Sequence, residues 1–460
     1  MVLAFGVLGM LSFLAHIIHK KVPESKGGGI PRSEGILRGV LNFRPLKTLF
    51  ATVFGSAISF FSGLGLGSEG PSVLIGTCLG KLSLFGKNKN SVLSRYVMTG
   101  GAGAGFAAAT GAPLSAILFT LEEIHRRFNP LLVVSVCVAV ISSSSVSSLL
   151  SDAFGVSSSL FEIGTLQTFD LSQMGYLLLL GAVVALFVAL FDLSSELLNK
   201  VSKERMPSSF KLVVVFLASG VLAMYLNDAV YSGHHVIEHI IQRSHTLIFL
   251  VLILILRLTL LLLTVNAGAT GGIFIPSLAI GALISAVTAE GLIYIGLPSS
   301  LYDTVVLLGM TAFIGGVMRS PIMATVLFLE LTGQFSSLLF VVTVVFVTYL
   351  ITELFNRVGF YDSVIEKMER SQNKGKNQQV KTFRIKVSPL SFAVNQTVRD
   401  VMWPSSAVVV SIQRDGRDLQ NMDSVGDTEM LEGDIVNLRV KFFDEEEITK
   451  ELSTLVGEII

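Results

Sequence analysis

Long apolar stretches recur from Met1 to about Phe355, at 1–18, 131–151, 174–193, 210–227, 246–265 and 337–353. About 20 apolar residues in a helix cross a bilayer, so each stretch predicts a transmembrane segment. Four more, 71–85, 101–121, 271–289 and 305–330, are shorter or interrupted by Gly and Pro. Interrupted helices persist at membrane depth only where protein or a wet cavity covers their backbone. That pattern predicts a transporter or channel rather than an anchor. Past residue 366 the pattern changes. Lys367–Lys381 is polar and charged and reads as a linker. Ala407–Ile412 then predicts a β-branched strand, Arg414-Asp415-Gly416 a hairpin turn, and Leu431–Val440 a turn into a second strand. Phe443–Val456 predicts an amphipathic helix. The expectation is a membrane body, 1–366, a linker, 367–381, and a small α+β domain in water, 382–457.

Composition sharpens this division. Of 460 residues 51% are hydrophobic and only 15% charged, with a mean hydropathy of +0.69. A soluble domain carries about a quarter charged residues, so an ordinary soluble enzyme and a disordered chain are both excluded. The net charge of zero hides an asymmetry. Residues 381–460 hold 14 acids against 9 Lys and Arg, a balance of −5, which leaves the body at +5. Two cysteines, Cys78 and Cys137, exclude a disulfide framework and read as buried thiols. The first apolar run has neither a basic start nor a small-residue cleavage site, and reads as a first helix rather than a signal peptide.

The chain also repeats itself. Residues 113–122 (PLSAILFTLE) match 321–330 (PIMATVLFLE) at an offset of 208. Pro71-Ser72 and Ile75-Gly76 match Pro276-Ser277 and Ile280-Gly281 at 205. Two halves with Gly/Pro-broken helices in matching places mark transporters whose site lies where the halves meet. Glu69 aligns with Phe274 and Glu123 with Leu331. Acids therefore occupy one half where apolar groups occupy the other, the expected sign of a site grafted onto symmetric scaffolding.

Five motifs carry candidate chemistry. Gly27-Gly28-Gly29-Ile30-Pro31 leaves backbone N–H groups unshielded ahead of a helix start, a setting that attracts anions; alone, it reads equally well as a flexible loop. Gly65-Leu66-Gly67-Ser68-Glu69-Gly70-Pro71 adds a carboxylate between apolar runs with no adjacent base. A lone acid at membrane depth is a functional hypothesis by default. Such a carboxylate would compete with an anion, and protonation would clear the site. Glu122-Glu123 ends an apolar run just before Arg126-Arg127, a pair that predicts the cytoplasmic side. Glu122 has a counterpart in Glu330 and reads as structural, with an i,i+4 pair to Arg126 as the plain alternative. Glu123 has none and reads as the proton site. Gly271-Gly272-Ile273-Phe274-Ile275-Pro276 opens another broken helix, and Tyr361 offers a phenol donor or an interfacial anchor. Gly101, Gly103 and Gly105 lack the setting of a dinucleotide fingerprint and read as helix packing. Gly76–Lys81 lacks Walker spacing, and His234, His235 and His239 form no metal cluster.

Together these motifs resemble the CLC family of chloride channels and proton-coupled anion antiporters, over residues 1–366. GGGIP (27–31) is similar to that family's GSGIP, GSEGP (67–71) to GREGP, and GGIFIP (271–276) to GGIFAP; Tyr361 falls where the family places its anion-binding tyrosine. The resemblance implies an all-α polytopic fold, an inverted repeat of broken, tilted helices forming a homodimer with one pore per subunit. It implies that Glu69 is the external gate and Glu123 the internal proton-transfer glutamate of the transporters. It implies backbone donors to a central anion at Ile273 and Phe274, with Gly28, Gly29, Ile30, Ser68, Gly70 and Tyr361 in the same site. Gly28 replaces the family's serine, which removes a hydroxyl and bears on chloride-over-nitrate preference. Ser68 replaces an arginine, which bears on outer anion attraction. The chain begins at the family's third helix, so a shortened chain or a late start codon is expected.

Residues 382–457 resemble the TrkA-C domain, a small ligand-binding module of bacterial potassium-transport regulators, through Val398-Arg399-Asp400, the VVVSIQRDG strand and turn, and Glu432-Gly433-Asp434-Ile435-Val436. That implies a cytoplasmic sensor, able to dimerise, that takes a small ligand such as a nucleotide or an ion. The acidic balance opposes nucleic acid. The leading expectation is a multi-pass cell-membrane protein exchanging chloride, with nitrate or bromide as alternatives, for protons, with no cofactor and no metal. A passive chloride channel, voltage- or ligand-gated, is the runner-up. An intramembrane hydrolase using Glu122 and Glu123 is disfavoured, because adjacent helical residues point about 100° apart.

Overall fold

In the computed structural model of the chain, residues 2–84, 91–126, 128–155, 161, 163–164, 166–203, 206–243, 246–355, 358–404, 406–419 and 425–460 are described. Arg127 lies outside them. The first half runs α1 Val2–Lys21, α2 Gly29–Leu37, α3 Pro45–Phe61, α4 Glu69–Leu82, α5 Ser91–Thr110, α6 Pro113–Phe119 and α7 Pro130–Phe154. Helix α8, Met174–Lys203, leads to the second half: α9 Ser208–Tyr225, α10 His234–Ile241, α11 Leu247–Ala267, α12 Phe274–Tyr294, α13 Tyr302–Met318, α14 Pro321–Thr332 and α15 Leu338–Leu354. Helices α1, α2 and α4 begin 205–206 residues before α9, α10 and α12. The repeat seen in two short sequence matches thus extends over seven helices.

Among the described residues eight helical segments are long and apolar enough to cross a membrane. Their surroundings differ. The segment ending in α13 is 94% buried and the one forming α7 only 17%, so α13 is wrapped by protein while α7 turns its apolar side chains outward. This corrects two expectations. Cys137, on α7, is half-buried, and only Cys78 is fully enclosed. The stretches 271–289 and 305–330 contain full-length helices, α12 and α13; the break within 305–330 falls at Arg319-Ser320, where Arg319 takes φ 58°. The segments 71–85 and 101–121 do hold short pieces, α4 with 14 residues and α6 with 7.

Small residues decide how close α4 and α5 come. A Cβ on Gly76 would lie 2.0 Å from the Gly101 carbonyl oxygen, and one on Gly105 would lie 2.1 Å from that of Ser72. The two backbones touch, which fixes the start of α4.

Helix α16, Phe360–Gln372, leaves the membrane body, and β1, Gln379–Val387, begins the sheet domain. The stretch read as linker is therefore helix up to Gln372 and strand from Gln379. After β2 (Gln396–Thr397) come β3 (Ala407–Arg414), β4 (Arg417–Asp418), β5 (Glu429–Met430), β6 (Ile435–Phe442), α17 (Glu445–Leu455) and β7 (Gly457–Ile459). The main sheet is antiparallel in the order β4-β3-β6-β1-β7. Its hairpin turns at Asp415-Gly416, both at positive φ, the geometry that tight hairpins favour. Asp444 caps α17 through the Glu447 amide. Ile385, Val436, Leu438 and Leu452 close the core. The domain sits on the membrane body. Arg95 of α5 reaches Glu451 of α17 and, at 3.2 Å, the Met402 carbonyl. Asn129 donates to the Asp400 carbonyl at 2.6 Å, and Tyr96 stacks on Phe392.

Candidate functional site

Three glycine-rich loops meet at the middle of the body, each opening a helix. Gly67 and Gly272 exchange two backbone hydrogen bonds, 2.8 and 2.7 Å, tying the start of α4 to the start of α12. Gly271 donates to the Gly27 carbonyl and Gly27 to that of Gly268, which ties in the loop before α2. The contact leaves no room for side chains. A Cβ on Gly29 would lie 1.9 Å from the Gly70 carbonyl oxygen, and one on Gly70 would lie 2.7 Å from the Gly272 Cα. Helix starts lack carbonyls four residues back for their first-turn amides. Helices α2, α4 and α12 therefore bring three sets of such amides, with the positive ends of three dipoles, to one place.

A cavity of about 640 Å³ reaches this junction. Gly28, Ile30, Gly70, Ile273 and Tyr361 line it; Gly29, Ser68, Glu69 and Phe274 do not. Gly29 is spent on the backbone contact. Phe274 turns away into an aromatic cluster, edge-on to Phe106 with centroids 4.9 Å apart. Tyr361 is buried, and its hydroxyl has no protein partner among the described residues.

Glu69 begins α4 and is 1% exposed. Its carboxyl folds back over Gly67, where a Cβ would lie 2.2 Å from Oε2, and meets the backbone amide of Ile275. Oε2 has no hydrogen-bond partner among the described residues. Ser68, by contrast, is exposed and donates to Glu69 Oε1 at 3.4 Å. The carboxyl thus lies between an open surface at Ser68 and the amide junction.

Glu123 lies elsewhere. Helix α6 ends in a π-helical turn, Thr120–His125, which buries Glu123. Its oxygens accept from Arg126 at 3.5 Å and from Ser320 at 3.3 Å. It lines a second cavity, of about 650 Å³, with Arg38, Arg126 and Asp362. Arg126, at φ 55°, also pairs with Glu34 at 3.3 Å and Asp362 at 3.1 Å. Arg38 pairs with the same two acids at 3.0 and 3.1 Å. This cluster of three acids and two arginines was not anticipated from sequence; the available signal was Glu34, an acid just after GGGIP. The i,i+4 alternative for Glu122 and Arg126 is not formed. Glu122 instead accepts from the Ile322 and Met323 amides at 3.1 and 2.7 Å, at the start of α14. Glu330 does the same at α6, accepting from Leu114 and Ser115 at 2.7 Å each. Among the described residues no three His, Cys, Asp or Glu side chains are grouped to hold a metal ion.

The chain as a whole has counterparts among known proteins. The family profile described as "Voltage gated chloride channel" matches residues 9–353. The chain belongs to this family. The matched segment of the voltage-gated chloride channel family holds all three loops, Glu69 and Glu123. Relatives include the H(+)/Cl(-) exchange transporter ClcA of Vibrio cholerae serotype O1, 28% identical over 382 residues, 80% of each chain. ClcA of Vibrio campbellii is 27% identical over 79% of each. Among solved structures, a slow cyanobacterial Cl-/H+ antiporter superposes with a TM-score of 0.75 at 23% identity, covering 81% of this chain and 88% of that one. A CLC-type fluoride/proton antiporter gives 0.60 at 21%, covering 77% and 93%. These superpositions establish the fold.

Proposed function

We propose that this chain is a proton-coupled chloride antiporter of the cell membrane. One observation carries the reading: a buried, weakly bonded Glu69 carboxyl rests against the junction of first-turn amides that a dehydrated anion would use. Carboxylate and anion compete for one positive site, so each anion that enters displaces the carboxyl, and a proton neutralises what was displaced. The amides around Ile273 and Phe274, the loops 28–30 and 68–70, and the Tyr361 hydroxyl are the assigned anion donors. Glu123, on a separate cavity, supplies protons from the other side without crossing the anion's route. The names of the relatives, H(+)/Cl(-) exchange transporter and Cl-/H+ antiporter, support the same reading. Membrane-embedded acids of this kind form proton relays.

We assign residues 1–366 to transport, in a homodimer, and 382–457 to a cytoplasmic TrkA-C-like domain that takes a small ligand. In proteoliposomes a chloride gradient should drive protons uphill. Glu69→Gln should abolish proton movement, and Glu123→Gln should leave chloride flux while proton flux falls to background. Wild-type chloride flux with a reversal potential indifferent to a pH gradient would replace this reading with a passive channel.

A further inference from the structure

The second cavity is lined by six acids and three arginines. A wall with that balance repels anions and concentrates cations, hydronium among them. Three of the acids, Asp362, Glu366 and Glu369, recur at i, i+4 and i+7 along α16 and so share one helix face. Others are committed elsewhere. Glu122 is held by the first-turn amides of α14, and Glu353 pairs with Arg319 at 3.0 Å. Burial deepens inward from Asp362. Its side chain is 29% exposed, that of Glu123 2%, and that of Glu34, behind them, 0%.

Arg126 bridges these three acids, and Arg38 two of them. Two arginines facing three carboxylates leave one negative charge uncompensated inside the protein. Glu34 Oε2 is buried and has no hydrogen-bond partner among the described residues. Such an oxygen is costly as a carboxylate, and one shared proton removes the surplus charge. Neither guanidinium gives up a proton; they hold the acids together and pass nothing on. We propose that Asp362 is the point at which protons enter, drawn along the α16 acids from water on the side of the sheet domain. Asp362 and Glu123 line the same cavity, and water in it carries the proton from one to the other, where Glu123 and Glu34 share it. Each transfer breaks one O–H bond as another forms, and Asp362 returns to a carboxylate paired with Arg38 and Arg126. The proposal rests on the antiport reading above and adds to it where the proton comes from.

Proteoliposomes of the full chain test it, with proton and chloride fluxes read together in dilute buffer. Wild type without chloride-driven proton flux ends the antiport reading, and this proposal with it. Given that flux, Asp362→Asn should lower it about tenfold or more and lower the proton-to-chloride ratio, with chloride still moving. Asp362→Glu should keep both near wild type. A membrane-impermeant buffer on the cavity side, raised from a few to tens of millimolar, should restore proton flux to Asp362→Asn by carrying protons past the missing carboxylate. It should do nothing for Glu123→Gln. An unchanged proton flux in Asp362→Asn overturns the entry role, and a loss that buffer leaves untouched shows that Asp362 only braces Arg38 and Arg126. Should that variant fail to fold, Glu366→Gln and Glu369→Gln combined should slow proton flux several-fold in dilute buffer, with the same rescue. No change there overturns the route along α16.

Discussion

Lack of room does not require glycine at position 28. Its φ is −70°, and a Cβ there would meet nothing nearer than Pro31 at 3.5 Å and the Gly271 carbonyl at 3.6 Å. Gly29 and Gly70, a few ångströms away, could not accept one. Gly28→Ser is therefore expected to fold normally and add a hydroxyl beside the junction. In an anion series by reversal potential, it should shift preference toward chloride over nitrate several-fold; an unchanged series would mean that residue 28 does not touch the ion. The same residues mark what the sequence makes visible. Unshielded glycines before Pro31, Pro71 and Pro276 announce the loops, and Glu69 stands out as a lone acid between apolar runs. Glu34 and Asp362 do not stand out. Their partners Arg38 and Arg126 come together only when α2, the π-helical turn and α16 are packed, and no local spacing encodes that.

Helix ends explain the paired acids. Glu122 closes the amides of α14 and Glu330 those of α6, each half finishing a helix of the other. Carboxylates at first-turn amides make strong, charge-assisted bonds. Glu330→Ala and Glu122→Ala should each cost about 2 kcal/mol, read as a lower thermal midpoint in detergent, with the proton-to-chloride ratio intact. A changed ratio at unchanged midpoint would give Glu122 a transport role instead. The matching Pro, Ala, Leu and Glu of PLSAILFTLE and PIMATVLFLE foretold equivalence of these two acids, but not that they are swapped between halves. Breaks at Gly111 and Arg319 were legible as interruptions. The uninterrupted length of α12 was not, since Gly271-Gly272 lie just before it, Pro276 falls in its first turn, where a helix tolerates it, and Gly281 is carried within the helix.

Across the whole molecule, the sheet domain is joined to the membrane body at the start of α5, through Arg95 and Glu451. From Arg95 the same helix runs to Thr99, whose hydroxyl lies 3.5 Å from His125 in the turn that carries Glu123. Arg95→Ala should loosen the domain and speed tryptic cleavage at Lys374 and Lys376 several-fold, with Glu451→Ala matching it. Cleavage at the wild-type rate would show that this contact does not hold the domain in place. The antiparallel hairpin and final helix of that domain were readable from Arg414-Asp415-Gly416 and the spacing of Ile448, Leu452 and Leu455. Strand β1 was hidden because Gln379–Lys381, at its start, looks like linker.

The junction of α2, α4 and α12 is made of main chain. Every codon but proline's supplies the same N–H, yet at Gly29 and Gly70 any side chain would force the backbones apart, so what such a surface preserves is space rather than side-chain chemistry. Change that keeps the junction has to come from neighbours with room for it, such as position 28, where an added Cβ meets nothing nearer than 3.5 Å.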